Sequence, residues 1–354
     1  MSGDHSVDPR RYFESVERDR AEIAGRDPVC LYLETTNRCN LPCTTCPRTF
    51  EELEPAANMS WDLFRSIVDQ YPKIARVVLH GVGEPLMVPN LPRMVRYLKV
   101  RGTYVLFNTN GTLLNERRGR DLIDSGLDEL RVSLDAAEPQ AFKAVRGKDA
   151  FDRIVANVRN FRALQRTVGA ETPRVSLWLT GLKETIAQLP AFVDLAHSID
   201  VSEVHLQRLV YFPGGQGLAS PEQALFERLE AREEALIRQA AARAAELAVR
   251  FDASGATEPG TSLKRTAEER PWSLCTRPWH TARRCRAASP RSRCAATTPS
   301  RSVMRPKIRC AIFGMERNTG RFDAICSARR HRPAAPIAAC GGACRQEIRD
   351  RAAN

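Results

Sequence analysis

Six short apolar runs alternate with longer amphipathic segments, and this alternation limits the fold more than any other feature. The runs 29–34 (VCLYLE), 75–80 (ARVVLH), 103–108 (TYVLFN), 129–134 (ELRVSL), 174–180 (RVSLWLT) and 203–210 (EVHLQRLV) read as strands. The segments 60–71, 88–101, 115–125, 149–167 and 185–198 read as helices between them, and 221–250 as a strong closing helix. Strands that alternate with helices predict an α/β fold with a parallel sheet. Six units over about 210 residues predict a partial (β/α)6 barrel, not a full eight-fold one. No Gly-rich phosphate fingerprint follows the first run, which argues against a dinucleotide fold.

Side-chain parity sharpens the expectation. In a barrel wall one face meets the helices and is apolar, while the other faces the lumen. In the fourth run Leu130, Val132 and Leu134 oppose Arg131, Ser133 and Asp135. In the fifth, Val175, Leu177 and Leu179 oppose Ser176, Trp178 and Thr180; in the sixth, Val204 and Leu206 oppose His205 and Gln207. The polar sets are expected to line the lumen, and Arg131, Asp135, His205 and Gln207 are the candidate catalytic residues. Taken singly, a buried His is more often a satisfied core residue than a catalyst.

Charge is unevenly distributed. Residues 271–354 carry 18 Lys+Arg against 4 Asp+Glu, whereas the first 270 residues carry 36 against 38. The body is near neutral and the tail basic. No apolar run approaches the roughly 20 residues that span a bilayer, and the first 25 residues are charged throughout without an apolar signal core. A reducing, cytoplasmic setting without membrane association is expected. There, 11 cysteines point to metal or redox chemistry rather than to disulfides.

Three cysteines follow the first strand within TTNRCNLPCTTCPRT. Cys39, Cys43 and Cys46 form a Cys-x3-Cys-x2-Cys loop at the C-terminal end of a strand, where parallel α/β folds place chemistry. Three thiolates can hold three corners of a cubane iron–sulfur cluster and leave one iron open to a small molecule. A structural zinc site would want a fourth ligand, and Cys30 lies inside the strand.

With this loop the sequence resembles the radical S-adenosylmethionine (SAM) superfamily over about residues 29–212. The resemblance implies a 4Fe–4S cluster on Cys39, Cys43 and Cys46, with SAM chelated to the open iron. It also implies reductive cleavage to a 5′-deoxyadenosyl radical that abstracts hydrogen from substrate. The segment HGVGEPL (80–86) resembles the family's Gly-Gly-Glu-Pro stretch, so Gly81, Gly83, Glu84 and Pro85 are expected at the SAM amino group. FNTNGTLL (107–114) and RVSLD (131–135) occupy places that hold the ribose and methionyl parts, so Thr109, Asn110 and Ser133 are expected there. The residue before the last loop cysteine, often aromatic in the family, is Thr45. Adenine packing must come from elsewhere.

Seven cysteines lie after residue 270. SLCTRPWH (273–280) resembles the start of a SPASM domain, a cluster-binding extension of many radical SAM enzymes, and CGGAC (340–344) resembles its end. This implies Cys275, Cys340 and Cys344 as candidate ligands of one auxiliary iron–sulfur cluster. Between them, 283–307 holds almost no large apolar residue, and Arg283 to Arg309 includes nine basic residues and no acid. A poorly ordered extension is expected on that composition. A frame-disrupted segment, a divergent cluster domain and a basic interaction tail all stay open. The chain divides as a helical extension (1–28), a radical SAM core (29–212), a closing helix and linker (213–270) and the cysteine-containing tail (271–354).

A peptide, or a small natural-product or sugar-like molecule, is the expected substrate, with flavodoxin or ferredoxin as electron donor. Two alternatives stand beside this. An RNA-modifying radical SAM enzyme suits the basic tail but not the near-neutral body. A non-catalytic iron–sulfur or zinc-binding interaction protein is the other.

Overall fold

The computed structural model describes residues 27–51, 55–209, 217–220, 222–225, 229–253 and the backbone of 281–284. The expected N-terminal helix, the SPASM-like segment and Cys275, Cys340 and Cys344 lie outside the described residues.

All six expected strands form: β1 (Cys30–Leu33), β2 (Arg76–Val78), β3 (Tyr104–Thr109), β4 (Glu129–Ser133), β5 (Arg174–Gly181) and β6 (Glu203–Arg208). Two more join them, β7 (Arg250–Ala253) and β8 (Thr281–Arg284), and the sheet order is β7-β6-β5-β4-β3-β2-β1-β8. Every pairing is parallel, so the six-strand expectation is extended at both edges. β7 escaped the sequence pattern because only Phe251 and Ala253 in it are apolar, too little for a strand signal.

The helices are α1 (Pro47–Phe50), α2 (Trp61–Val68), α3 (Leu91–Lys99), α4 (Glu116–Asp124), α5 (Pro139–Arg146), α6 (Phe151–Val168), α7 (Leu189–Ser198) and α8 (Ala231–Glu246). Local chemistry sets several boundaries. Ser60 accepts from the Leu63 N–H and Asn115 from the Arg118 N–H, satisfying first-turn donors of α2 and α4. The closing helix begins later than its composition predicts, because Glu230 and Glu233 form a reciprocal capping box there. It ends before β7 rather than running to 250. Helix α5 is an addition to the expected set. Its signals were Pro139 at the first turn and Gly147 just past the end, where φ is 69°.

Strands in sequential order joined through helices, with the right-handed crossover usual for parallel strands, are expected to place the helices on one face of the sheet. The expected parity follows. Leu130, Val132, Leu134, Val175, Leu177, Leu179, Val204 and Leu206 join Phe64, Met94, Phe161, Phe192 and Ile237 in one buried cluster. Each such side chain contributes about 1.5–3 kcal/mol on full burial. The opposite parity is polar and faces away from the helices, and the loops after β1 to β4 gather at its C-terminal end.

Candidate active site

The cysteine loop is held by the chain around it. The Thr44 N–H donates to the Val145 carbonyl at 2.8 Å, and the Leu218 N–H to the Thr44 carbonyl at 2.9 Å. Arg48 donates to the Leu41 carbonyl at 2.7 Å, and the Thr49 hydroxyl to the Cys43 carbonyl at 2.8 Å. Gly147 stands against the loop: a Cβ there would lie 2.4 Å from the Pro42 carbonyl oxygen.

Cys39, Cys43 and Cys46 are free thiols. Each sulfur meets an N–H donor. The backbone N–H of Leu41 serves Cys39, that of Arg48 serves Cys46, and the Arg146 guanidinium donates to Cys43 at 3.7 Å. Asn110 Nδ2 also reaches Cys39 at 3.8 Å. Burial pushes the Cys39 and Cys46 thiols above their ordinary range, so holding them as thiolates calls for a metal or a cluster. Arg146 Nε is buried without a partner, a donor left over beside the loop. Among the described residues no three His, Cys, Asp or Glu groups gather around one ion position.

The GVGEP turn after β2 packs directly on this loop. A Cβ at Gly83 would lie 2.3 Å from the Thr36 carbonyl oxygen and 2.7 Å from that of Arg38, so only glycine allows the approach. At Gly81 the Glu34 side chain fills the space, and Glu34 accepts the Val82 N–H at 2.9 Å. Pro85 opens a buried 3-10 turn, Pro85–Met87. Glu84 is 2% exposed. Its Oε1 accepts from Leu86 N at 3.0 Å and from the Thr109 hydroxyl at 2.7 Å, and its Oε2 from Asn110 N at 2.7 Å. Burial raises its pKa, and these three donors oppose that rise. The carboxylate thus does more than the sequence suggested: it ties the turn after β2 to the end of β3. Oε2 keeps one acceptor site.

Three residues that the sequence reading did not single out complete the site. Asn110 donates to Asn40 at 2.8 Å, Asn40 donates to Thr112 at 2.7 Å, and the Thr112 hydroxyl donates back to Asn110 Oδ1 at 2.7 Å. Asn40 lies inside the cysteine loop and Thr112 inside the quoted FNTNGTLL, so both stood in segments already marked. Arg146 stood in none. It bridges Cys43 and Asp135, whose Oδ2 is 2.5 Å from its Nη2. Burial works against its charge, but Asp135 and the cysteine sulfurs outweigh that and raise its pKa.

The four expected catalytic residues divide. Asp135 is buried, has φ 65° and accepts the Thr180 N–H at 2.7 Å, so it belongs to the support of the cysteine loop. Arg131 and His205 lie on the wall. The Arg131 guanidinium sits 4.4 Å over the Trp178 ring and pairs with Glu129 at 2.5 Å. Trp178 stacks on His205 with ring centroids 4.0 Å apart. Burial, helped by Arg131, depresses the His205 pKa to about 4, so its imidazole is neutral at physiological pH. Gln207 sits opposite Thr180 and Ser133 opposite Trp178 in the strand register.

The described residues thus combine a parallel β/α sheet with a three-cysteine loop after its first strand. Residues 33–196 match the radical SAM superfamily, and the chain carries a radical SAM domain. It is 29% identical over 183 residues to the tungsten-containing aldehyde ferredoxin oxidoreductase cofactor-modifying protein of Pyrococcus furiosus, covering 51% of each chain. It is 29% identical over 198 residues to the PqqA peptide cyclase of Streptomyces rochei, covering 55% of this chain and 52% of that one. The chain spans about half the length of the curated relatives it matches. Streptococcus suis SuiB shares the fold, with TM-scores of 0.57 bound to S-adenosylmethionine and 0.58 bound to its precursor peptide SuiA. Sequence identity is 16% and 15%, and the match covers 79% of this chain and 62% of SuiB.

Proposed function

We propose that this protein is a radical SAM enzyme that modifies a peptide. The observation that carries the reading is the cysteine loop, whose three free thiols each meet an N–H donor over the C-terminal ends of the strands. Cys39, Cys43 and Cys46 hold a 4Fe–4S cluster, and the backbone around Gly81, Gly83 and Pro85, with Oε2 of Glu84, receives the SAM amino group. Thr109, Asn110 and Ser133 flank the remainder of SAM. When bound there, the cluster and SAM would supply reductive radical chemistry for abstracting hydrogen from substrate.

The chain's own residues orient and shield. Glu84 fixes the turn and the end of β3 as one unit, and Arg146 with Asp135 braces the loop from below. On the wall Arg131, Trp178 and His205 present a stacked edge to substrate, with Gln207 further toward the strand ends. The PqqA peptide cyclase and the SuiB complex with a precursor peptide support a peptide substrate. A cofactor-type small molecule is the second reading, favoured by the name of the Pyrococcus relative. Cys275, Cys340 and Cys344 are proposed for one auxiliary cluster, and a flavodoxin or ferredoxin of the cytoplasm for the electron. No described helix is long and apolar enough to cross a membrane.

The test is anaerobic reconstitution followed by dithionite and SAM. Release of 5′-deoxyadenosine by the wild type, and its loss together with the N-terminal cluster in a C39A/C43A/C46A variant, is the expected result. An unchanged cluster content at this site in the triple variant would defeat the reading. Candidate peptides are then compared by mass spectrometry for a SAM-dependent mass change.

A further inference from the structure

Between the cysteine loop and the sheet lies a buried charge pair that the proposed chemistry does not itself require. Arg146 donates through Nη1 to Cys43 Sγ at 3.7 Å and pairs through Nη2 with Asp135 Oδ2 at 2.5 Å. The side chains are 11% and 2% exposed. Asp135 is held in turn by the Thr180 N–H at 2.7 Å, and it adopts the left-handed backbone conformation at φ 65°. One nitrogen of the fork therefore points at a cluster ligand and the other at an anion locked in the sheet. The Leu41 and Arg48 backbone donors to the other two sulfurs are neutral and belong to the loop itself. Arg146 comes from helix α5, over a hundred residues later in the chain.

Hydrogen bonds and charges close to the sulfurs set the potential of an iron–sulfur cluster. Reduction adds one electron and no proton to the cluster. A cation in a poorly solvated site stabilises the added negative charge, and an anion opposes it. We infer that Arg146 is a positioning residue that raises the reduction potential of the cluster, and that Asp135 limits the rise by holding part of its charge. The pair would set how readily the cluster accepts its electron without touching SAM or substrate. This rests on the radical SAM reading of the loop.

The two charges predict shifts of opposite sign, which a merely structural role does not. The full chain is reconstituted with iron and sulfide. It is then titrated with dithionite in the presence of redox mediators and without SAM. The paramagnetic signal of the reduced cluster is followed, counting only the signal that the C39A/C43A/C46A variant lacks. Asp135→Asn removes the anion, and asparagine tolerates the left-handed conformation. The midpoint is expected to move to more positive potential. Adding Arg146→Gln to that variant removes the cation without stranding a buried charge. The ratio of reduced to oxidised cluster at fixed potential is then expected to fall about tenfold, equivalent to about 59 mV for one electron. Arg146→Lys alone keeps a cation beside Asp135 but loses the fork, and its midpoint is expected below the wild type.

Midpoints that stay together, or that move in the same direction in D135N and D135N/R146Q, overturn the inference. So does loss of the cluster from both Arg146 variants while D135N loads iron normally, since Arg146 would then serve assembly. Failure of the wild type to bind any cluster through the loop defeats the functional reading instead, so the two failures are distinguishable.

Discussion

Glu84 Oε2 accepts the backbone N–H of Asn110 at 2.7 Å, joining the turn after β2 to the loop after β3 through a buried carboxylate. Asn110 in turn reaches Cys39 and Asn40. The placement of the cysteine loop against the sheet is therefore linked to an acid from a separate turn of the chain.

Replacing Glu84 by alanine leaves Leu86 N, Asn110 N and the Thr109 hydroxyl without their acceptor. An unsatisfied buried group costs about 1–3 kcal/mol, so E84A is expected to lower unfolding free energy by at least about 3 kcal/mol in urea titration. Glutamine keeps Oε1 for two donors but turns an NH2 toward Asn110 N, which costs about 1–3 kcal/mol. Equal stability of wild type and E84A, with loss of SAM binding only, would show that the carboxylate serves the ligand rather than the scaffold.

Gly147 and Gly169 share a positive φ, 69° and 68°, but differ in surroundings. An added Cβ at Gly147 meets the Pro42 carbonyl oxygen, whereas at Gly169 nothing lies within 4 Å. Alanine at 169 is expected to cost only the left-handed strain, about 1–2 kcal/mol, with full iron uptake. Alanine at 147 is expected to cost more and to reduce iron bound by the loop. Similar iron content in both variants would separate Gly147 from the integrity of the loop.

Glu129 anchors the N-terminal ends of the strands. It pairs with Arg131 at 2.5 Å and Arg174 at 3.2 Å and accepts the Tyr104 hydroxyl at 2.9 Å. Burial would raise its pKa, but Arg131, Tyr104 and Arg174 together hold it below the usual range. The depressed carboxyl contributes stability above its unfolded pKa and loses it as pH falls through the folded value. Glu129→Leu strands the largely buried Arg131, while the half-exposed Arg174 keeps Glu203 at 3.0 Å, and is expected to cost about 3 kcal/mol at pH 7. The gap to wild type narrows in more acidic solution, as thermal melts at pH 7 and below 4 would show.

His205 predicts a separate window. Its folded pKa, about 4, lies below the ordinary 6.5, so the unfolded chain binds a proton that the folded one refuses. Stability is expected to fall as pH drops from 6.5 toward 4, by at most about 3 kcal/mol at 1.36 kcal/mol per unit. His205→Phe keeps a ring against Trp178 and should flatten that limb. A wild-type slope retained in H205F would assign it to another group.

The α/β alternation, the six central strands and the apolar parity of β4 to β6 were legible because each apolar run is long enough to carry its period. The cysteine loop and the GVGEP turn were legible because their residues are neighbours in sequence. Arg146 was not. Its meaning comes from the fold of α5 over the loop, which places a guanidinium beside Cys43 across a separation of 103 residues. Asp135 was marked, but parity can say only which face a residue occupies. Whether its charge is free or already paired depends on the helix above it. β7 and β8 were hidden for a different reason: RFDA and TARR hold too few apolar residues to mark a run.

The pairing of β8 with β1 has a consequence for synthesis. Cys30 to Leu33 meet Thr281 to Arg284 in parallel register, so the outer edge of the first strand finds its partner far later in the chain. At about 5–20 residues per second, the roughly 250 residues between them take about 12–50 s to emerge from the ribosome. Through that interval the strand leading into the cysteine loop presents unpaired N–H and C=O groups, a template for pairing with other chains. The nascent protein is thus most exposed to misassociation next to the free thiols of Cys39, Cys43 and Cys46.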